Sequence, residues 1–512
     1  MGWKAKIGVG LATIVAVIGA AELYVRNARS DRPVSRLPVA GRLVLANATV
    51  VDVRDGRLLP GRTVLMDGGQ IVSVTSGQGP SPDRGARVVD AAGLYVVPGY
   101  NDMHAHALGL SDPSGALALM LANGVTGFRQ MHGSDAMLAE RRESRLPIGP
   151  DTPAPLAIPG QLLTPLNAGG VDQALVTVRA QKAAGADFIK VGLVSRPVLF
   201  AVLAEAGRLN LPVAGHVPAS ADVVAAALGG MRAIEHLGPA DGVLVACSAR
   251  RAALRRELDA LPAMGGLPFR SALIEKLADA YLERLIVNPA SATTPDDTRR
   301  RAIVASSFDE ARCRRVARAL KRTGNWQSPT LIRLKTTQFA DAPALSTDPN
   351  QRYMPPETVE SWREATDDYL AKVPADARAL FRKTYALDLR AVKIFDEEGV
   401  PMLAGSDESG GWEVPGFSLH QEFGELAAAG LSPLRVLQMT TIDPARFLGR
   451  TGTMGLVAPG RAADLVLLTA DPTRDVRNLR RIAGVIRAGR YYDAAALAAL
   501  KRRVQAGGGY LR

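Results

Sequence analysis

Cysteine is almost missing from this chain of 512 residues: Cys247 and Cys313 are the only two. Two thiols exclude a disulfide-rich scaffold and a cysteine-built zinc module, and they are too few to identify a redox compartment. Lysine is also scarce, with 11 Lys against 51 Arg, and there are six histidines. No internal repeat or low-complexity tract appears. The longest N-terminal uncharged run, residues 7–21, falls short of the roughly 20 apolar residues that a membrane span needs. No glycine-rich phosphate loop follows a first strand, which removes the usual mark of a doubly wound nucleotide-binding sheet. The arginine clusters have no aromatic ladder, RNP motif or zinc finger beside them.

What is present points to a packed protein. A hydrophobic content of 47% with 22% charge leaves ample apolar surface to bury and excludes disorder. The length suits one large barrel with an appendage, or two to three smaller domains. The net charge of +12 raises nucleic acid as a partner. However, the basic clusters at 250–251, 255–256, 299–301 and 312–322 have helical periodicity and interspersed acids. They read as solvated helix faces, so no nucleic-acid partner is expected.

Lys4 and Lys6 precede the uncharged run, and Arg26, Arg29 and Arg32 follow it. The run resembles a signal-peptide core with Gly19-Ala20-Ala21 as a small-residue cleavage site. The alternative is an uncleaved anchor lengthened by Leu23, Tyr24 and Val25. Either way, residues 1–38 are set aside as a leader, and the expected location is exported: periplasmic or tethered to the membrane.

Between residues 41 and 89, short β-branched runs alternate with turn signals at Asp55-Gly56 and Asp67-Gly68-Gly69. The same texture returns at 464–468 and 484–490. A small β-sandwich domain built from both chain ends, 39–94 and 452–495, is the expectation, with a C-terminal helix or tail at 496–512. Within 95–451, apolar runs at 95–97, 125–128, 155–158, 188–191, 212–214, 233–234, 329–332 and 402–404 alternate with helical stretches. Eight such runs predict an α/β fold of the (β/α)8 TIM-barrel type. Two long insertions, 238–326 and 333–400, are expected to build lids over the site.

Barrel sites form at the C-terminal ends of strands, and the unusual residues fall there. His104 and His106 end one run; alternate residues at a strand end point the same way, so both imidazoles can converge on a metal. Two exposed loop histidines would look the same. Lys190 lies inside the apolar run 188–191, where an unpaired lysine is costly. It reads either as a carbamate made from CO2 that bridges two cations, or as a snorkelling strand-end lysine. His216 and His236 each follow a strand-like run, and each alone reads as a satisfied half-buried residue. Asp407 ends the run at 402–406 and is open to a turn or cap role. Together, four of six histidines, a rare lysine and an aspartate predict a metal site. Imidazole and carboxylate donors without thiolates suit Zn, Mn, Fe or Ni.

These residues lie in motifs that resemble the amidohydrolase superfamily, nearest its imidazolonepropionase and prolidase-like branch. The motifs are Val97-Pro98-Gly99-Tyr100-Asn101-Asp102-Met103-His104-Ala105-His106, Ile189-Lys190, Gly215-His216, Ile234-Glu235-His236, Gly405-Ser406-Asp407 and a tail at 455–466. The likeness spans residues 41–495. It implies two divalent metal ions, with zinc the first choice. His104, His106 and Asp407 would hold one, His216 and His236 the other, and a carboxylated Lys190 would bridge them with a hydroxide. Asp407 would take the water proton and pass it to the leaving amine.

The implied activity is hydrolysis of an amide or peptide C–N bond in a small molecule, an N-acylated amino acid or a small peptide, by a homo-oligomer. Ester or lactone cleavage in the same site is the alternative. A non-catalytic scaffold would lack Asp407 or Lys190, and both are present. The chain also departs from its relatives. Arg129-Gln130-Met131-His132 stands where many have Arg-Asp and glycines, and the loop after Lys190 is short. His132, Arg129 and Arg333 are the candidate substrate-binding residues, the two arginines as carboxylate clamps.

Overall fold

The computed structural model describes residues 41–77, 86–261, 286–408 and 410–507. The leader at 1–38 and part of the first insertion lie outside the described residues. Among those described, no helix is long and apolar enough to cross a membrane.

In chain order the strands are β1 (Leu43–Asp52), β2 (Arg57–Asp67), β3 (Gln70–Ser76), β4 (Arg87–Asp90), β5 (Tyr95–Pro98), β6 (Tyr100–Ala105), β7 (Val125–Gln130), β8 (Ala154–Ala157), β9 (Ile189–Val191), β10 (Val213–Gly215), β11 (Ala233–Glu235), β12 (Trp326–Ser328), β13 (Leu465–Leu468), β14 (Ile482–Arg487) and β15 (Arg490–Asp493). Both chain ends enter one sheet ordered β15-β14-β13-β5-β1-β2-β3, with β4 also on β1. The sheet forks where β1 changes partner, pairing with β4 at Leu43–Ala46 and with β5 at Thr49–Val50. The start of β3 bonds back to the approach to β13 through Ile71 N and the Arg461 carbonyl, 2.8 Å. The sheet thus encloses its own core of Leu45, Val50, Val64, Met66, Ile71, Leu465 and Ile486.

The rest is an α/β fold of TIM-barrel type. Its strands form two parallel sheets, β6-β7-β8 and β12-β11-β10-β9, with helices between successive strands. Being covered on both faces, these strands apart from β8 are buried along their whole length. Hydrogen bonds span the gaps between the sheets. Leu163 N donates to the Lys190 carbonyl (3.0 Å), Leu403 N to that of Gln327 (2.9 Å) and Met103 N to that of Ala404 (2.9 Å).

Three apolar runs differ from expectation, and that at 402–404 forms only a single bridge, from Met402 to Gln327. The run at 95–97 is β5, which pairs with β1 and β13 in the end sheet; the first barrel strand is β6, beyond Gly99. The run at 329–332 is not a strand. Pro329 has no N–H for a ladder, Thr330 turns left-handed (φ 45°), and Leu331 begins the helix Leu331–Gln338. The strand there is β12, just before it.

The first insertion leaves and returns at one point. Ser248 bridges Phe308 and Asp309 N donates to the Cys247 carbonyl (3.1 Å). Cys247 and Cys313 form a disulfide that links helix Gly242–Cys247 to helix Glu310–Thr323. The arginine-rich helices are ion-paired at the surface: Arg314 and Arg318 meet Glu397 and Glu398, and Arg299 and Arg300 meet Glu257.

Candidate metal centre

His104, His106 and Asp407 offer donor atoms that all lie within 4.8 Å of one another. Strand alternation places the two histidines on one side of β6 and its end. Asp407 is drawn to them by its own N–H, which donates to the His104 carbonyl at 2.7 Å. The glycines of the motifs have local causes. A side chain at Gly405 would strike the His104 backbone, and one at Gly215 (φ 132°) would strike the Val191 carbonyl, which accepts the His216 N–H at 2.9 Å. His236 (φ 56°), Thr330 and Asp407 (φ 58°) are held in the left-handed region, a strained backbone that clusters at functional sites.

The hydrogen bonds settle two ring orientations. His104 Nδ1 lies 2.8 Å from Glu235 Oε2. An ionised carboxylate only accepts, so Nδ1 donates, and in the neutral ring Nε2 then presents a lone pair. His236 Nδ1 lies 2.6 Å from the Thr330 hydroxyl, whose own hydrogen goes to the Pro329 carbonyl. His236 Nε2 therefore also presents a lone pair. These two nitrogens face Asp407, at 3.2 Å from Oδ1 and 3.6 Å from Oδ2 respectively, and His106 Nε2 is 2.9 Å from Oδ1. Lone pairs aimed at a carboxylate repel unless positive charge lies between them.

His216 stands beside His236, with ring centroids 5.1 Å apart, and its Nδ1 is buried without a partner. Burial pulls the His106 and His216 rings down to about 4 and about 3, so they are neutral and free to ligate. Lys190, on β9, is 2% exposed and its Nζ has no partner. Burial lowers its pKa to about 8, which makes a neutral amine accessible. The converging lone pairs and orphaned nitrogens fit divalent cations held by imidazole and carboxylate.

Supporting residues surround this set, and sequence reasoning missed most of them. Arg129 is 1% exposed; its Nη2 reaches Glu235 Oε1 at 2.9 Å, its Nε donates to the Met103 carbonyl at 2.6 Å, and its guanidinium lies over Phe188 and Phe447. It sits behind His104, buried against Glu235 rather than at the surface. Asp102 and Glu408 accept the backbone N–H groups of His104 and His106, at 3.1 and 3.2 Å. The Ser406 hydroxyl lies 2.5 Å from Asp102 and 2.6 Å from Glu408. One hydroxyl hydrogen cannot serve both, so one acid carries a proton. Burial pushes both acids up, Glu408 further with the Asp102 charge beside it, so the two share a proton. The signal available in the sequence was acids within apolar runs, as in Ala233-Ile234-Glu235.

His132 stands exposed just past β7. Arg333 is 8% exposed, with Nε 3.5 Å from Asp407 Oδ2. His420, outside the site, donates Nε2–H to the Asn123 carbonyl at 2.9 Å and packs edge-on to Tyr100 and Phe423.

Known proteins share this architecture. A family model described as Amidohydrolase family matches residues 384–491. Adenine deaminase 3 of Rhizobium meliloti (strain 1021) is 24% identical over 440 residues, 84% of this chain and 55% of that protein. An adenine deaminase of Paracoccus denitrificans (strain Pd 1222) is 32% identical over 147 residues, 26% of this chain and 25% of that one. The chain thus spans about half the length of the first of these relatives and less of the second. Among solved structures, a bottromycin amidohydrolase superposes with a TM-score of 0.61 at 24% identity, covering 94% of this chain and 92% of that one. A Xaa-Pro dipeptidase with bound methionine in the active site gives 0.55 at 15%, covering 88% and 100%. At these identities the structural likeness speaks for the fold alone. Residues 384–491 thus resemble the Amidohydrolase family, and the cluster of His104, His106 and Asp407 offers donors that could hold a metal ion.

Proposed function

We propose that the protein is a metal-dependent hydrolase that cleaves a C–N bond in a small-molecule amide, an N-acyl amino acid or a small peptide. The observation that carries this reading is the pair of imidazole lone pairs, on His104 and His236, aimed at one carboxylate. Divalent cations held there would supply an acidified water and a Lewis-acid contact for an acyl oxygen. Zinc suits the donor set best, with Mn, Fe or Ni also compatible.

The chain's own groups then divide the work. Glu235 and Thr330 fix the two histidine tautomers. Asp407 keeps Oδ1 on the side of His104 and His106, leaving Oδ2 to accept a proton from water and return it to the departing amine. Lys190 takes up CO2: its neutral Nζ forms the N–C bond, loses a proton and becomes an anionic carbamate facing the histidines. His132 at the rim is the candidate for a substrate hydrogen bond. The names of the curated relatives favour deamination as a second reading, and ester or lactone cleavage needs only the same site. Export fits both the N-terminal leader and the Cys247–Cys313 disulfide.

The test is Lys190→Ala in the full chain, assayed on N-acyl amino acids, dipeptides, adenine and an ester. Activity should vanish and return in part with added short carboxylic acids. Full activity of the variant without them rules out the carbamate. Turnover of adenine or ester alone replaces the amide reading with one of the other two.

A further inference from the structure

Arg333 joins three parts of the molecule that are distant in sequence. It lies in the first turn of helix Leu331–Gln338, which starts just after Thr330, the residue that orients His236. Its Nε is 3.5 Å from Asp407 Oδ2, the oxygen turned away from His104 and His106. Its Nη1 donates to the Val287 carbonyl at 3.3 Å, and its Nη2 donates to the Ile286 carbonyl. Ile286 and Val287 belong to the return of the first insertion. Val287 is tied in turn to the loop after Asp407, because Gly411 N donates to its carbonyl at 3.0 Å. At Gly410 the Arg333 guanidinium fills the space a side chain would need, so a larger residue there would have to displace it. Glu413 stands 3.9 Å from Nη1, too far to hydrogen-bond. Its oxygens are taken by the Thr336 hydroxyl at 2.9 Å and Gly410 N at 2.8 Å.

This placement turns Nε and one N–H of each exocyclic nitrogen toward protein oxygens and away from a substrate carboxylate. A guanidinium reads a carboxylate with two parallel N–H groups facing outward. Here Nε is turned to Asp407, and each exocyclic nitrogen is committed to a carbonyl of the insertion. The same geometry gives Asp407 Oδ2 a fixed place.

We propose that Arg333 is a positioning residue, holding the free oxygen of Asp407 where a proton must be taken up and making that placement depend on how the insertion seats at Ile286 and Val287. The proposal deepens the hydrolase reading and rests on it for the role of Asp407. It assigns the insertion a part in assembling the site beyond covering it.

Arg333→Met and Arg333→Lys in the full chain test this, with amide substrates that carry a carboxylate and amides that lack one. In Arg333→Met, kcat should fall about 100-fold, the scale of loss from a small misplacement of a reacting group, with KM nearly unchanged for both substrate kinds. Arg333→Lys should recover part of kcat, and added ethylguanidinium should restore part of the Arg333→Met loss. Bound metal should stay at the wild-type level. In metal-free protein, hydrogen exchange at the amide of Gly411 and across 286–292 should lose protection in Arg333→Met while thermal unfolding stays cooperative.

A raised KM confined to carboxylate-bearing amides, with kcat intact, makes Arg333 a substrate clamp and overturns the proposal. So does unchanged kcat. If the wild-type protein hydrolyses nothing in the panel, the hydrolase reading fails by itself. The exchange measurement still judges the junction: unchanged protection at Gly411 and 286–292 overturns it.

Discussion

Glu235 takes the Nδ1–H of His104 on one oxygen and the Arg129 guanidinium on the other, and all three side chains are at most 1% exposed. The arrangement sets which nitrogen of His104 is free, so the carboxylate acts on ligand basicity without touching a metal itself. Glu235→Gln should weaken metal binding about 10- to 100-fold, measured by chelator competition on the folded fraction. It should also destabilise the fold, since Arg129 is left a buried charge without its partner. Metal affinity equal to the wild type would contradict the role. At this scale the sequence singled out residues that were rare and placed at strand ends, and of these His104, His106 and Asp407 meet. It gave no role to Glu235 and no sign that Arg129 is buried against it, because a strand buried on both faces gives no alternation to tell the pocket side from the core side.

Helix Leu331–Gln338 shows the same limit one level up. Its first residues were read as a strand because Leu331 and Ile332 are apolar; the stop came from Pro329 and the left-handed Thr330, a conformation no propensity predicts for a β-branched residue. The helix start is held by Glu422, whose buried carboxyl accepts the Ile332 N–H at 2.7 Å. Burial raises Glu422 to about 8 from its ordinary 4.5. As pH rises past 4.5 the unfolded chain releases this proton while the folded one keeps it. The contribution is therefore full below 4.5 and is lost as pH approaches 8. Glu422→Gln keeps an acceptor for Ile332 and cannot ionise. Its melting temperature should fall less steeply than the wild type's between those pH values. Parallel slopes would show that Glu422 does not titrate as described.

Across the whole molecule, alternating runs were enough to anticipate a barrel-type α/β body and a sheet closed by both chain ends. The run at 95–97 went to the end sheet because its hydrogen-bonding partners, β1 and β13, lie in both terminal segments, which local pattern does not reveal. The disulfide was equally hidden, since the cysteines are 66 residues apart and meet only when the first insertion closes at its base. Arginines of the basic clusters pair with glutamates on helix surfaces. This scaffolding brings His104, His106 and Asp407 together, and the central claim is that they belong to a metal centre that hydrolyses C–N bonds. The most direct measurement is amine release from N-acyl amino acids and dipeptides by the full chain, before and after chelation and again after a divalent cation is returned. The account predicts release that disappears with chelation and comes back with the cation. Release that persists in verifiably metal-free protein would contradict it.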